Sequence, residues 1–365
     1  MGVLTAVGQV VPPPSYLLLP GAGVDIGAGS VKTVTFKSHI GTCVLDTFAE
    51  TPLKEGVVVN GDIEMPDVLV DVLRTVRLRE RIQVAHTALP ERKAYLYQAL
   101  IPHEAVHDLA DAIESTLESH VPIAPTDVIF DYEVVRTVSA GVVVSVTAFA
   151  RRVVESYADV FARAGITLRS LEIESQALGR ALWGAEDRTG TVMAIDVGRH
   201  ITRVGIFDHG VVGFTATLDV GGDTFTSALM KRFTISEEEA EKRKNEQGFL
   251  EGSENREVFE ALATTASVLR DEVSRHLMYW NTPSDETDAV PRQPIQGIVL
   301  VGGNANVKGL PEYLARGVNL PVSVGNVWKN VMNLDENIPS MPFNRSLEFA
   351  TTIGLAARSC NPRIW

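Results

Sequence analysis

The chain has 365 residues, enough to bury a large core and to form two lobes. Its 45% apolar and 22% charged composition is that of an ordinary soluble protein, and a formal net charge of −13 argues against a nucleic-acid surface and against direct electrostatic docking on anionic lipid. Two cysteines, Cys43 and Cys360, make neither a disulfide framework nor a metal cluster and fit a reducing compartment.

The N-terminus lacks the basic n-region of a secretory signal, and no run approaches the roughly 20 apolar residues that span a bilayer. Residues 1–22 read as an extension. Its proline-broken stretch Val10–Pro20 is either an extended arm packed on the first lobe or a docking strand for a partner or a second copy. From Val24 to Leu45 the pattern is strand, glycine turn, strand, strand, with Val31–Phe36 alternating at period two. An Asn60-Gly61 turn follows, then a helix after Pro66 with Val68, Leu69, Val72, Leu73 and Val76 on one face. Gln83–Pro90 is a strand, in which His86 reads as a packed residue without a nucleophile nearby.

The next block reads as a small α+β module: a strand over Tyr95–Ile101, an amphipathic helix over His103–Val121, a hairpin of 128–135 and 142–149, and a helix from Val153 ending at Gly165. His103, His107 and His120 lie on or beside the first of these helices; His103 and His107 lack an acidic or cysteine partner at metal spacing, and the three read as surface residues. After Asp196 come two strands joined by an Asp208-His209-Gly210 turn, and a helix opened by Gly221-Gly222-Asp223. A helix over 236–247 follows with a Ser236…Glu239 capping box, then a long helix carrying Phe259, Leu262, Ala266, Leu269, Val273 and Leu277. Thr282–Pro294, with three prolines, reads as a mobile tip. The strand from Ile295 leads into Gly302-Gly303, Gly309-Leu310-Pro311 starts a helix, and a last helix spans about Phe349 to Ala357.

Three glycine-rich turns carry the chemistry: Asp25-Ile26-Gly27-Ala28-Gly29-Ser30-Val31-Lys32, Asp196-Val197-Gly198-Arg199-His200-Ile201-Thr202, and Gly302-Gly303-Asn304. Each follows a β-branched run. A buried strand that delivers a carboxylate into a glycine turn suits phosphate and Mg²⁺, because backbone N–H groups form an anion nest while the carboxylate orients the metal's waters. Two such turns are consistent with duplicated lobes; singly, each Asp could simply cap its own turn.

In this order the turns resemble the two phosphate loops and the adenosine loop of the actin-like ATPase superfamily, which includes actin, sugar kinases, heat-shock chaperones and the cell-division protein FtsA. The likeness is closer to the PilM family of type IV pilus assembly. It is supported by Glu172–Leu182, Leu218-Asp219-Val220-Gly221-Gly222-Asp223 and Gly309–Leu314, and runs from about Gly23 to Arg358. The resemblance implies an α/β, two-lobed actin-like ATPase fold of duplicated ribonuclease-H-like domains with an inserted α+β subdomain of the FtsA/PilM type. Residues 23–90 and 166–190 would form the first lobe, 91–165 the partner-binding insert, and 191–365 the second lobe, with 217–294 a helical subdomain covering the nucleotide.

Residue by residue, the resemblance implies ATP and Mg²⁺ as cofactors, with Asp25 and Asp196 orienting the metal across the cleft. Gly27, Ala28, Gly29 and Ser30 would form the first phosphate nest, and Lys32 either reaches the phosphates or sits on a strand face. Gly198 to Thr202 would form the second nest. There Arg199 and His200 depart from the usual small residues and either crowd the phosphates or, for Arg199, add a charge-assisted contact. Gly221, Gly222 and Asp223 would bring exposed N–H groups at a helix N-terminus toward the nucleotide. Glu241 and Lys244 would bracket ribose and base, and Gly302, Gly303 and Asn304 would pass behind adenine. Glu174 matches the acidic position that orients an attacking water, or is a helix N-terminal carboxylate favoured by the dipole.

The function implied is a cytoplasmic ATP-binding adaptor of type IV pilus assembly with at most slow ATPase activity. It would bind the cytosolic tail of a PilN-like inner-membrane protein and sit at the inner face of the membrane through its partners, without inserting into it. The motor ATPase, the platform protein and a second copy of the chain are further implied partners. An FtsA-like filament-forming protein is the alternative, weakened because 359–365 is too short and proline-broken for a basic amphipathic membrane helix. A small-molecule kinase of the same superfamily is a third reading.

Overall fold

A computed structural model describes residues 21–39, 42–184, 187–282 and 292–360. The N-terminal stretch Val10–Pro20 and most of the expected tip at 282–294 lie outside them. Strands β1 (Ala22–Ile26), β2 (Ser30–His39) and β3 (Thr42–Pro52) open the chain, followed by the short pair β4 (Val58–Val59) and β5 (Asp62–Ile63). Asn60 and Gly61 both have positive φ in the turn between that pair, the backbone an Asn-Gly hairpin requires. Helix α1 (Pro66–Glu80) and β6 (Val84–Leu89) follow.

The insert contains β7 (Ala94–Pro102), α2 (Leu109–His120), β8 (Val128–Val138) and β9 (Gly141–Ala150). One continuous helix over 103–121 was expected, but His103–Asp108 is a 3₁₀ turn that buries no side chain; only Ile113 and Leu117 anchor the helix proper. Helix α3 (Arg151–Ala164) stops at Gly165, whose positive φ lets its N–H bond back to Ala162. Val153, Tyr157, Val160 and Phe161 bury this helix with α1 in the main core, while the insert sheet and α2 build a separate core around Val144, Val146, Ile113 and Leu117. β10 (Thr167–Ile173) and α4 (Glu174–Leu182) complete the first half.

The second half starts with β11 (Thr191–Val197), β12 (Thr202–Asp208) and β13 (Val211–Leu218). It continues with α5 (Gly222–Phe233), α6 (Glu237–Glu246) and α7 (Arg256–Asn281), then β14 (Ile295–Val301), α8 (Leu310–Val318) and β15 (Val322–Val324). It ends with α9 (Phe343–Ser346) and α10 (Ala350–Ala357). Ser236 Oγ accepts the Glu239 N–H at the start of α6, as the capping pattern predicts. Along α7, Leu262, Ala266, Leu269, Val273, Leu277 and Trp280 are buried at helical spacing.

The two large sheets have one topology. In the order β3-β2-β1-β6-β10, the first three strands are antiparallel neighbours and the last two are parallel additions. In the order β13-β12-β11-β14-β15, the same is true. The duplication inferred from two Asp-x-Gly turns is therefore present in the sheets themselves. The lobes share one continuous hydrophobic core.

Helix α10 returns to the first lobe. All eight of its residues are buried against α4, β1, β2 and β6. The approach is close enough that a Cβ on Gly23 would fall 2.2 Å from the Thr352 carbonyl oxygen, and one on Gly354 would fall 1.8 Å from that of Ala177. A buried ion pair backs this junction: Arg180 meets Glu172 at 2.5 Å, and Arg358 reaches the same carboxylate at 3.0 Å. Cys43 and Cys360 form a disulfide across 317 positions, a correction to the sequence reading. The fold brings β3 beside the segment after α10, and nothing in the spacing of two distant cysteines foretells that.

The insert is fastened to the second lobe as well as the first. Ser145 Oγ donates to the Val212 carbonyl at 2.5 Å, and Arg136 pairs with the buried Asp208. No helix among the described residues is long and apolar enough to cross a membrane.

Candidate functional site

The duplicated sheets set two equivalent turns against each other. After β1, the Gly27 N–H closes on the Ser30 carbonyl at 2.9 Å; after β11, the Gly198 N–H closes on the Ile201 carbonyl at 3.0 Å. Asp25 precedes the first turn and Asp196 the second, each in the last two residues of its strand. Together with the β14 turn and the helices of the second lobe they enclose a cavity of about 720 Å³, within the size range of small-molecule sites.

The cavity brings together Asp25, Gly27, Ala28, Gly29, Ser30 and Lys32 from the first lobe, with Glu174 from the start of α4. The second lobe contributes Asp196, Gly198, Arg199, Gly222, Asp223, Glu241, Lys244, Gly302, Gly303 and Asn304. Of the residues chosen from the sequence, Thr202 and Gly221 are not in its wall. Thr202 is fully buried and its hydroxyl donates to the Val220 carbonyl at 2.6 Å. The Gly221 N–H goes to Thr224 Oγ1 at 3.2 Å.

The start of α5 also differs from expectation. The Gly222 and Asp223 N–H groups are not exposed donors; they bind the Gly198 and Arg199 carbonyls at 3.0 and 2.9 Å and staple the helix to the second turn. Asn304 strengthens that staple, since its Nδ2 donates to the Gly198 carbonyl at 2.9 Å. Gly302 has φ of +86° and passes so close to the second turn that a Cβ would lie 2.3 Å from Asp196 Oδ1, so only glycine fits there.

Arg199 and His200 do not fill the cavity. Arg199 binds Asp223 at 2.9 Å and Glu237 at 3.1 Å, while His200 Nδ1 lies 2.8 Å from Asp223. Both remain more than half exposed at the rim. Lys32 Nζ donates to the Glu348 carbonyl at 2.9 Å and lies over the Phe349 ring. On α6, Glu241 and Lys244 face each other at 2.6 Å, and the buried Lys244 also donates to Thr226 at 3.0 Å.

At the base of the cleft lies a group that the sequence reading missed. Arg203 of β12 places Nη2 2.6 Å from Glu174 Oε1 and Nη1 3.3 Å from Asp196 Oδ2. Burial disfavours its charge, yet Glu174, Asp196, Asp25 and Glu91 outweigh burial and push its pKa up. One guanidinium cannot neutralise four carboxylates. Burial accordingly raises Asp25 and Glu91, and pushes Glu174 up to about 8 against the pull of Arg203, with Glu91, Asp25 and Asp196 adding to the rise. Glu91 Oε1 accepts the Ser175 N–H at 2.8 Å, while its buried Oε2 has no hydrogen-bond partner.

The donor set fits a polyphosphate nucleotide better than it fits a metal. Two glycine turns and the Gly302-Gly303 backbone suit phosphates and a planar base, while Lys32 is turned to the Glu348 carbonyl and Arg199 to Asp223 and Glu237 at the rim. Mg²⁺ requires near-octahedral oxygen ligands with free lone pairs. Here Arg203 holds one oxygen of Asp196 and one of Glu174, and no group of three or more metal-binding side chains converges among the described residues. With the guanidinium in this place, Glu174 and Asp196 do not fit a divalent cation by direct ligation.

The family model described as type IV pilus assembly protein PilM matches residues 23–360. Among solved structures, a chain of a PilM–PilN type IV pilus biogenesis complex aligns with a TM-score of 0.73 at 22% identity, covering 94% of this chain and 100% of that chain. The ethanolamine utilization protein EutJ from Carboxydothermus hydrogenoformans aligns at 0.54 with 19% identity, over 95% of this chain and 90% of its own. MreB5 of Spiroplasma citri bound to ADP aligns at 0.50 with 15% identity, over 93% of this chain and 98% of its own. At these identities the likenesses show a shared fold, the actin-like one expected from the sequence.

Proposed function

We propose that this chain, which belongs to the PilM family of type IV pilus assembly proteins, is a nucleotide-binding adaptor that holds ATP between its lobes and the cytosolic tail of a PilN-like membrane protein on its insert. The observation that carries the nucleotide half is the pair of equivalent turns, closed by the same backbone hydrogen bond and set over one cavity of about 720 Å³. The MreB5 structure that shares this fold has ADP bound. Glu174, already engaged by Arg203, gives no free base for fast hydrolysis, so the chemistry proposed is binding with at most slow turnover.

For the partner half, the similar pilus biogenesis complex joins PilM to PilN. A second concavity of about 590 Å³ lies where Leu96 of β7 faces Phe214, Thr215 and Ala216 of β13, with Tyr279 beside them. Both strands are sheet edges. An extended peptide entering there would meet the backbone of two edge strands and a mostly polar wall, in which Glu91, Arg92 and Lys93 stand beside the apolar Leu96 and Phe214. Since the insert touches both lobes, closure on ATP would reach this slot. The adaptor would then sit at the membrane's inner face through its partner.

Calorimetric titration with ATP, with and without a synthetic N-terminal tail of a PilN-like protein, tests the reading. Tail affinity should rise about 5-fold or more with ATP bound, and ATP affinity by the same factor with the tail, because coupling is reciprocal. ATP binding that ignores the tail would remove the gated adaptor; no ATP binding would remove the nucleotide site.

A further inference from the structure

The equivalence of the two lobes extends one step beyond the turns. Across the antiparallel ladder, Asp25 pairs with Lys32 and Asp196 pairs with Arg203. Each acidic residue thus has a cation directly opposite, at the same register of the same duplicated hairpin. Opposed residues of an antiparallel pair share one face of the sheet, so both cations start beside their carboxylates. Their subsequent paths differ. Lys32 leaves its Asp and caps the Glu348 carbonyl at the rim. Arg203 turns to the base of the cleft, where it binds Asp196 and, across the lobe boundary, Glu174.

Arg203 therefore stands where the carboxylates of a cation-dependent nucleotide site would have to present free oxygens. It lines the cavity, its side chain is 22% exposed, and carboxylates from both lobes face it. A guanidinium is permanently charged and matches phosphate oxygens with a planar fork of donors. A divalent cation ligating Glu174 or Asp196 directly would have to compete with Arg203 for their oxygens.

We propose that Arg203 takes the place of the divalent cation in this chain, supplying the fixed positive charge at the base of the cleft, so that a nucleoside polyphosphate binds without Mg²⁺. The inference rests on the nucleotide reading above and concerns the same cavity. It makes the metal-free nucleotide the ligand. It also gives Arg203 a second effect, since Glu174 on one lobe and Asp196 on the other are held together by it before any nucleotide arrives.

The test is ATP binding to the full chain by calorimetry, in EDTA and in Mg²⁺. Wild-type affinity should change by less than about threefold between the two, whereas Arg203→Ser should lose about tenfold or more in EDTA and recover most of it in Mg²⁺. Arg203→Lys, which keeps a charge at the site, should remain nearly indifferent to the metal. A tenfold or greater loss of wild-type affinity in EDTA overturns the proposal while leaving the nucleotide site standing, and it needs no variant to fold. Absence of binding in both buffers overturns the nucleotide reading and this inference with it.

Discussion

The carboxylate cluster around Arg203 should make the free protein less stable as the pH rises through neutrality. Glu174 titrates near 8 in the folded chain, against 4.5 for an ordinary glutamate, because it is buried beside other acids. A group whose folded pKa is raised contributes stability that is complete below its unfolded pKa and is lost as pH climbs through the folded one. His86 works the other way. Burial first, then the Arg358 charge, lowers its pKa to about 4, so its contribution grows as pH rises toward 6.5. The two oppose each other between roughly pH 4 and 6.5. Above that window only the carboxylates remain, and Glu174 alone should then cost about 2 kcal/mol between pH 6.5 and 8.5. Thermal or urea unfolding of nucleotide-free protein at several pH values reads this directly. For a chain of 365 residues, about 2 kcal/mol corresponds to a fall of roughly 3 °C in Tm. Glu174→Gln, which can still accept from Arg203, should flatten the slope and be the more stable protein at pH 8.5. A wild-type Tm that holds steady or rises from pH 6.5 to 8.5 would refute the argument, as would a variant with an undiminished slope.

Gly354→Ala tests the close packing of α10 on α4. The added methyl would sit 1.8 Å from the Ala177 carbonyl oxygen, so overpacking of about 3 kcal/mol should exceed the gain of about 1 kcal/mol from helix propensity. A Tm equal to wild type would show that the two helices are not in contact as described. The Cys43–Cys360 bond closes a loop of 317 positions, for which chain entropy sets a ceiling of about 5–6 kcal/mol. Reductant should lower the Tm of the oxidised wild type and leave Cys360→Ser unaffected; equal responses would show that the thiols are unbonded.

What was legible in the sequence was what local chemistry dictates. β-Branched runs ending in Asp-x-Gly became the central strands and their turns, and Asn60-Gly61 and Asp208-His209-Gly210 became hairpins. The inner wall of the cavity was legible for the same reason, because glycines at strand ends mark close backbone approach. Arg203 was missed although the pattern contained it: the turn after Asp196 has fixed length, so residue 203 must lie opposite residue 196. The same alternation puts Thr202 on the other face, which is why its hydroxyl is buried on Val220. The staple of α5 to the second turn and the joining of Cys43 to Cys360 depend on approaches between distant segments, and no local signal encodes either. The 3₁₀ start before α2 reflects an absence of buried anchors that periodicity alone overlooked.

The position of α10 has a consequence for the order of events at the ribosome. The strands β1 to β10 are complete by residue 173, yet the helix that covers β1 is not made until residue 357. At about 5–20 residues per second, the nascent first lobe waits roughly 10–40 seconds with one face of its sheet open. The insert, with a core of its own between residues 99 and 148, has no such wait. A chain built this way emerges as a folded insert on an unfinished platform, and the first lobe closes only when the second has been synthesised.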